Sequence, residues 1–91
     1  CFIYGADANS VQVNGPVNTV VNSFLLNAGS HGIQTDGTGD DSVFNGNTIQ
    51  DHGGSSIYTT SGADDVVCSG NRLDGAVGGA GCTDGNDTSA F

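Results

Sequence analysis

The sequence predicts an all-β solenoid, on three observations: a composition dominated by turn formers, short apolar runs without helical spacing, and a self-similarity that returns every 22 to 25 residues. Gly, Asn, Asp, Ser and Thr supply 52 of the 91 residues, and only 35% are hydrophobic and 7% aromatic. A 9.0 kDa chain of this make-up holds one small domain and has little with which to build a helical bundle.

The repeats come in two series. Val43-Phe44-Asn45-Gly46-Asn47-Thr48-Ile49 returns 24 residues later as Val67-Cys68-Ser69-Gly70-Asn71-Arg72-Leu73, and Val20-Val21-Asn22-Ser23-Phe24-Leu25-Leu26 is a looser earlier copy. Ser10-Val11-Gln12-Val13, Gly32-Ile33-Gln34-Thr35, Ser56-Ile57-Tyr58-Thr59 and Gly81-Cys82-Thr83-Asp84 form the second series, with offsets of 22, 24 and 25. Between them lie Asn14-Gly15-Pro16, Asp36-Gly37-Thr38-Gly39, Thr60-Ser61-Gly62 and residues 75–79, whose Gly, Asn and Asp content suits turns with positive φ. Apolar stretches of this length between such turns are short strands. A chain that repeats this unit stacks one coil on the next at about 4.8 Å. About three and a half coils are expected in one segment over residues 1–91, with boundaries near 14–16, 36–40, 60–64 and 84–86.

The Gly-Asn-x-apolar unit followed by Gly-Ile-x-Thr resembles the right-handed parallel β-helix repeat family, which includes pectate-lyase-like enzymes and virus tailspikes. Leucine-rich repeats share the period but need a dense leucine pattern, and only Leu25, Leu26 and Leu73 occur. The resemblance implies an asparagine ladder at Asn47 and Asn71, with Phe24 in the equivalent earlier place. Alternation counted from those positions turns three stacks inward: Val21, Phe44 and Cys68; Leu26, Ile49 and Leu73; and Val11, Ile33, Ile57 and Cys82. Cys68 and Cys82 then read as small buried hydrophobes, with a cross-core disulfide also open. The same count sends Val20, Val43 and Val67 outward in an apolar row suited to subunit packing.

Ten aspartates, no glutamate, no lysine and a single cation, Arg72, give a formal charge of −9. That balance disfavours nucleic-acid phosphates and anionic membranes and fits a halophilic or secreted source. No apolar run reaches the roughly 20 residues of a membrane span. The start, Cys1-Phe2-Ile3-Tyr4, has neither an initiator methionine nor a signal-peptide pattern, so the chain reads as part of a longer helix. Three cysteines leave at least one thiol unpaired within the chain, and their spacing fits no zinc motif.

Asp40-Asp41 and Asp64-Asp65 stand 24 residues apart, so stacked coils bring carboxylate over carboxylate unless a cation bridges them, and Asn18 continues the row. With Asp36 they supply oxygens suited to calcium, or to sodium in brine, against the alternative of solvated turn aspartates. Asp40, Asp41, Asp64 and Asp65 are also the alternative catalytic carboxylates, although Arg72 alone is left to neutralise a uronate substrate. His31 and His52 fall at non-equivalent places and read as loop residues. The outward row Gln12, Gln34, Tyr58 and Thr83 offers amides, a phenol and a hydroxyl for sugar contact.

The expected function is a structural, glycan-recognising β-helix segment of a virion fibre, tailspike or extracellular surface protein. Its expected partners are copies of itself or further β-helix chains and cell-surface polysaccharide. A fragment of a carbohydrate-active lyase, hydrolase or epimerase, and a cation-stabilised spacer, are the alternatives.

Overall fold

The computed structural model describes residues 1–15, 17–37, 41–60, 66–74 and 77–79. Among the described residues there are eleven strands and no helix: β1 (Phe2–Tyr4), β2 (Val11–Val13), β3 (Thr19–Val21), β4 (Phe24–Leu26), β5 (Ile33–Thr35), β6 (Val43–Asn45), β7 (Thr48–Gln50), β8 (Ile57–Thr59), β9 (Val67–Ser69), β10 (Arg72–Leu73) and β11 (Val77–Gly79). They form three sheets in the orders β1-β4-β7-β10, β2-β5-β8-β11 and β3-β6-β9. Every pairing is parallel. The chain visits the first, second and third sheets in turn and then returns to the first one strand further on. The protein is therefore all-β, with parallel strands in stacked sheets, an arrangement compatible with a solenoid.

The strands need no more than three residues because a left-handed residue turns the chain at the corners between the described strands up to β8, and again between β9 and β10. Asn22, Gly46 and Gly70 have φ of 50°, 70° and 64° between the third and first sheets. Gly5, Asn27 and Asp51 do the same after the first sheet, and Val17 and Asp41 do so before the third. Gly, Asn and Asp tolerate this region best, so the turn-rich composition is the cost of three corners per repeat.

The core is a set of columns in which like sits on like. Leu25, Ile49 and Leu73 are fully or almost fully buried in the first sheet, Ile33 and Ile57 in the second, and Phe44 and Cys68 in the third. Ile3, Val11, Val20 and Val77 pack against them at the ends. Parallel in-register stacking lets each side chain cover its equivalent one strand away, which compensates for the small size of any single layer.

Three inward assignments from the sequence are displaced. Val20, not Val21, pairs with Phe44, and Phe44 in turn pairs with Cys68; Val21 is 44% exposed. Leu25, not Leu26, aligns with Ile49. Ser23, not Phe24, takes the place equivalent to Asn47: the Ser23 N–H donates to Asn47 Oδ1 at 3.0 Å. All three are the same slip by one residue, and a slip by one inverts which side chains face the core. In the second sheet β11 puts Val77 opposite Ile57, an offset of 20, where the sequence reading expected Cys82; Cys82 lies outside the described residues.

Candidate functional site

The outer face of the second sheet carries the polar side chains that the sequence singled out. Gln12 pairs in register with Gln34, and Gln34 with Tyr58. The strand beyond β8 puts Gly78 in the fourth place; Thr83, expected there, lies outside the described residues. Gln12 and Gln34 are bound together by Asn9, whose Nδ2 donates to Gln12 Oε1 at 2.7 Å and to Gln34 Oε1 at 2.9 Å. Gln12 Nε2 donates to Asn14 Oδ1 at 3.0 Å. Two amide carbonyls are thereby occupied, and the amides are held at fixed angles rather than left as free rotors.

Tyr58 is positioned by a histidine. The His31 ring stacks on it with centroids 4.7 Å apart and planes 20° from parallel. His31 is fixed in turn by its neighbours above and below. Its backbone N–H donates to Asn9 Oδ1 at 3.0 Å, and its ring Nδ1 accepts the Ser55 backbone N–H at 2.8 Å. An acceptor at Nδ1 leaves the proton of the neutral ring on Nε2. Asn9, His31 and Ser55 thus form a column in which each side-chain acceptor takes the next residue's amide. The offsets of 22 and 24 match those of the adjacent Val11, Ile33 and Ile57 and were present in the sequence; the substitution of imidazole and hydroxyl for amide hid the column.

The imidazole leaves no room beside it. A methyl on Gly54 would lie 2.6 Å from His31 Nδ1, and one on Gly78 would lie 3.2 Å from Tyr58 Cδ2. The surface is a strip: amides on the first two strands, Tyr58 on the next with the His31 ring from the corner before β5 stacked on it, and bare backbone at Gly78.

His52 lies at the corner below. Its Nδ1 is 2.8 Å from the Gly54 carbonyl, which can only accept, so Nδ1 carries the proton. Nε2 then accepts from the Ser56 hydroxyl at 2.7 Å. A serine bonded to an oriented imidazole is the arrangement of an activated nucleophile. Ser56 is fully buried, however, and offers no approach to a substrate. The pair satisfies a hydroxyl at a corner, and Ser10 shows the contrast. Two repeats earlier Ala6 stands in the place of His52, and Ser10 Oγ, in the place of Ser56, is buried without a hydrogen-bond partner.

The carboxylates are arranged differently from the expected row. Asp41 is exposed at φ 58°, and its equivalent is Val17 at φ 59°, not Asn18. Asn18 is the equivalent of Ser42, whose Oγ accepts the Asn18 N–H at 3.3 Å. Asp41 therefore fills a left-handed corner that suits aspartate. Asp36 is half-buried and donates its backbone N–H to the Val13 carbonyl at 2.9 Å. Among the described residues no group of three or more His, Cys, Asp or Glu comes together. Asp40, Asp64 and Asp65, named both as cation ligands and as alternative catalytic groups, lie outside the described residues.

The valine row is corrected as well. Thr19, not Val20, aligns with Val43 and Val67, and Val20 faces the core. Cys68 is disulfide-bonded and Cys1 is a free, exposed thiol. Compared with protein-family models, curated proteins and solved structures, the chain matches none.

Proposed function

We propose that the chain is a right-handed parallel β-helix segment of an extracellular or virion-surface fibre, and that it presents the outer strip of its second sheet to neutral glycans. The winding is supported by the regular return to the same three sheets, because a crossover between parallel strands of one sheet is almost always right-handed. A crystal structure with left-handed coils would overturn that part of the proposal. The disulfide at Cys68 supports an oxidising compartment.

The single observation that carries the glycan reading is the continuous outward column of Gln12, Gln34 and Tyr58, with Tyr58 braced by His31. A ring held at a fixed angle beside oriented amides offers both the stacking surface and the hydrogen bonds that a pyranose uses. The −9 charge disfavours uronates, sialic acids and sulfated sugars, leaving neutral saccharides as the class. The test is titration with neutral and acidic oligosaccharides followed by calorimetry, with Tyr58→Ala alongside. Binding of neutral sugars that weakens about tenfold or more in Tyr58→Ala is expected. No binding by the native chain, or equal binding by the variant, would overturn the reading.

A further inference from the structure

The largest exposed apolar side chains stand on a different face. Outward positions of the first sheet form two columns: Phe2, Phe24, Thr48 and Arg72 in one, and Tyr4, Leu26 and Gln50 in the other. Asp74 extends the second column, since its N–H donates to the Ile49 carbonyl at 3.0 Å as the Arg72 N–H donates to the Asn47 carbonyl at 2.8 Å; its Oδ2 accepts the Asp51 N–H at 3.0 Å, which leaves Oδ1 for a second partner. Phe2, Tyr4 and Phe24 are 65%, 68% and 52% exposed, and the two phenylalanine rings lie 6.5 Å apart. The first three rows carry no charge, and the fourth carries one of each sign. This face holds the chain's only cation, in a molecule of charge −9.

We propose that this face pairs with the same face of a second copy about a two-fold axis parallel to the stacking direction. Such an axis exchanges the two columns and preserves the rows. Phe2 then meets Tyr4 of the second copy, Phe24 meets Leu26, Thr48 meets Gln50, and Arg72 meets Asp74, each contact occurring twice. Aromatic falls on aromatic, apolar on apolar, amide on hydroxyl and cation on anion. A two-fold interface must be self-complementary in this way. Two copies of so acidic a chain repel over most approaches, and here the closest charges attract. The patch spans a few hundred Å² at most, below the roughly 800 Å² per partner of a standard interface, so the dimer is reversible and concentration-dependent. The pairing does not depend on the glycan reading, which concerns the second sheet.

Sedimentation equilibrium of the 91-residue chain, in a Cys1→Ser background that removes intermolecular disulfides, tests the proposal. A monomer–dimer equilibrium is expected, lost in Phe24→Asp and weakened about tenfold or more by Arg72→Asp or Asp74→Arg alone. The combined Arg72→Asp and Asp74→Arg chain is expected to recover dimerisation, which non-specific sticking would not do. Circular dichroism checks folding, and Tyr4→Ser takes the place of Phe24→Asp should that variant not fold. A native chain monomeric at every concentration, a trimer, a dimer indifferent to the Phe24 and Tyr4 variants, or a combined variant that stays monomeric would each overturn the proposal. So would a monomer that binds neutral oligosaccharide through Phe24, which would assign the face to a sugar.

Discussion

Asn71 carries three buried hydrogen bonds on one amide: its Oδ1 accepts the Asn47 N–H at 2.9 Å and Asn47 Nδ2 at 3.0 Å, and its Nδ2 donates to the Phe44 carbonyl at 2.9 Å. Asn71→Ala leaves those partners without a bond inside the core, at a cost of about 3 kcal/mol. A fall in melting temperature on the order of 15 °C is expected by calorimetry. Ser10 gives the opposite expectation. Its Oγ is buried and unpartnered, so Ser10→Ala leaves stability within about 0.5 kcal/mol of the native chain or raises it. Ser56→Ala, at the equivalent place, frees His52 Nε2 and lowers stability by about 1 kcal/mol in the same assay. Val17 is a β-branched residue held at φ 59° and 73% exposed. Val17→Asn relieves that strain and raises stability by about 1 kcal/mol, measured by denaturant unfolding.

At the scale of elements, the corner that holds His31 is tightly filled. Gly54→Ala pushes the imidazole away from the Ser55 amide and from the Tyr58 ring at once. A loss of about 2 kcal/mol is expected, with a changed near-ultraviolet tyrosine signal that a remote packing defect would not produce. The period and the existence of the strands were legible in the sequence because turn formers and apolar triplets alternate so regularly. The register of the third sheet and of its neighbour β4 was not. Val20-Val21 and Phe24-Leu25-Leu26 are apolar at successive positions, so hydrophobicity does not choose between registers one residue apart. Ser23 also lacks the amide that marks its place at Asn47 and Asn71. The outward column of Gln12, Gln34 and Tyr58 was legible, since parity within one strand suffices there. The exposed Phe2, Tyr4 and Phe24 face was hidden by the same slip, which moved Phe24 into the turn. Val77 was passed over because its offset from Ile57 is 20 where earlier repeats have 22 and 24.

Over the whole molecule, the charge of −9 acts on every approach to the surface and on the compact state itself. Self-repulsion falls as salt shortens the screening length from about 10 Å at 0.1 M to about 3 Å at 1 M. Melting temperature is therefore expected to rise with sodium chloride, and a flat response would show that the carboxylates are too dispersed to matter. Extent in the stacking direction adds a second property. Each further repeat adds parallel backbone pairs and another residue to every inward column, so stability is expected to grow with the number of repeats. The Cys68 disulfide sits inside one of those columns.

The second and third sheets are joined by corners of unequal length. β2 aligns with β5 at an offset of 22, whereas β3 aligns with β6 at 24, so two further residues enter between Thr35 and Val43 and no strand changes its partner. Length at that corner is decoupled from register. A peptide tag or a foreign loop grafted there is expected to leave the strand pairing unchanged, whereas the same insertion into residues 27–32 or 51–56 would sever the column through Asn9, His31 and Ser55. The chain thus contains its own display position, already tried once by nature in the step from one repeat to the next.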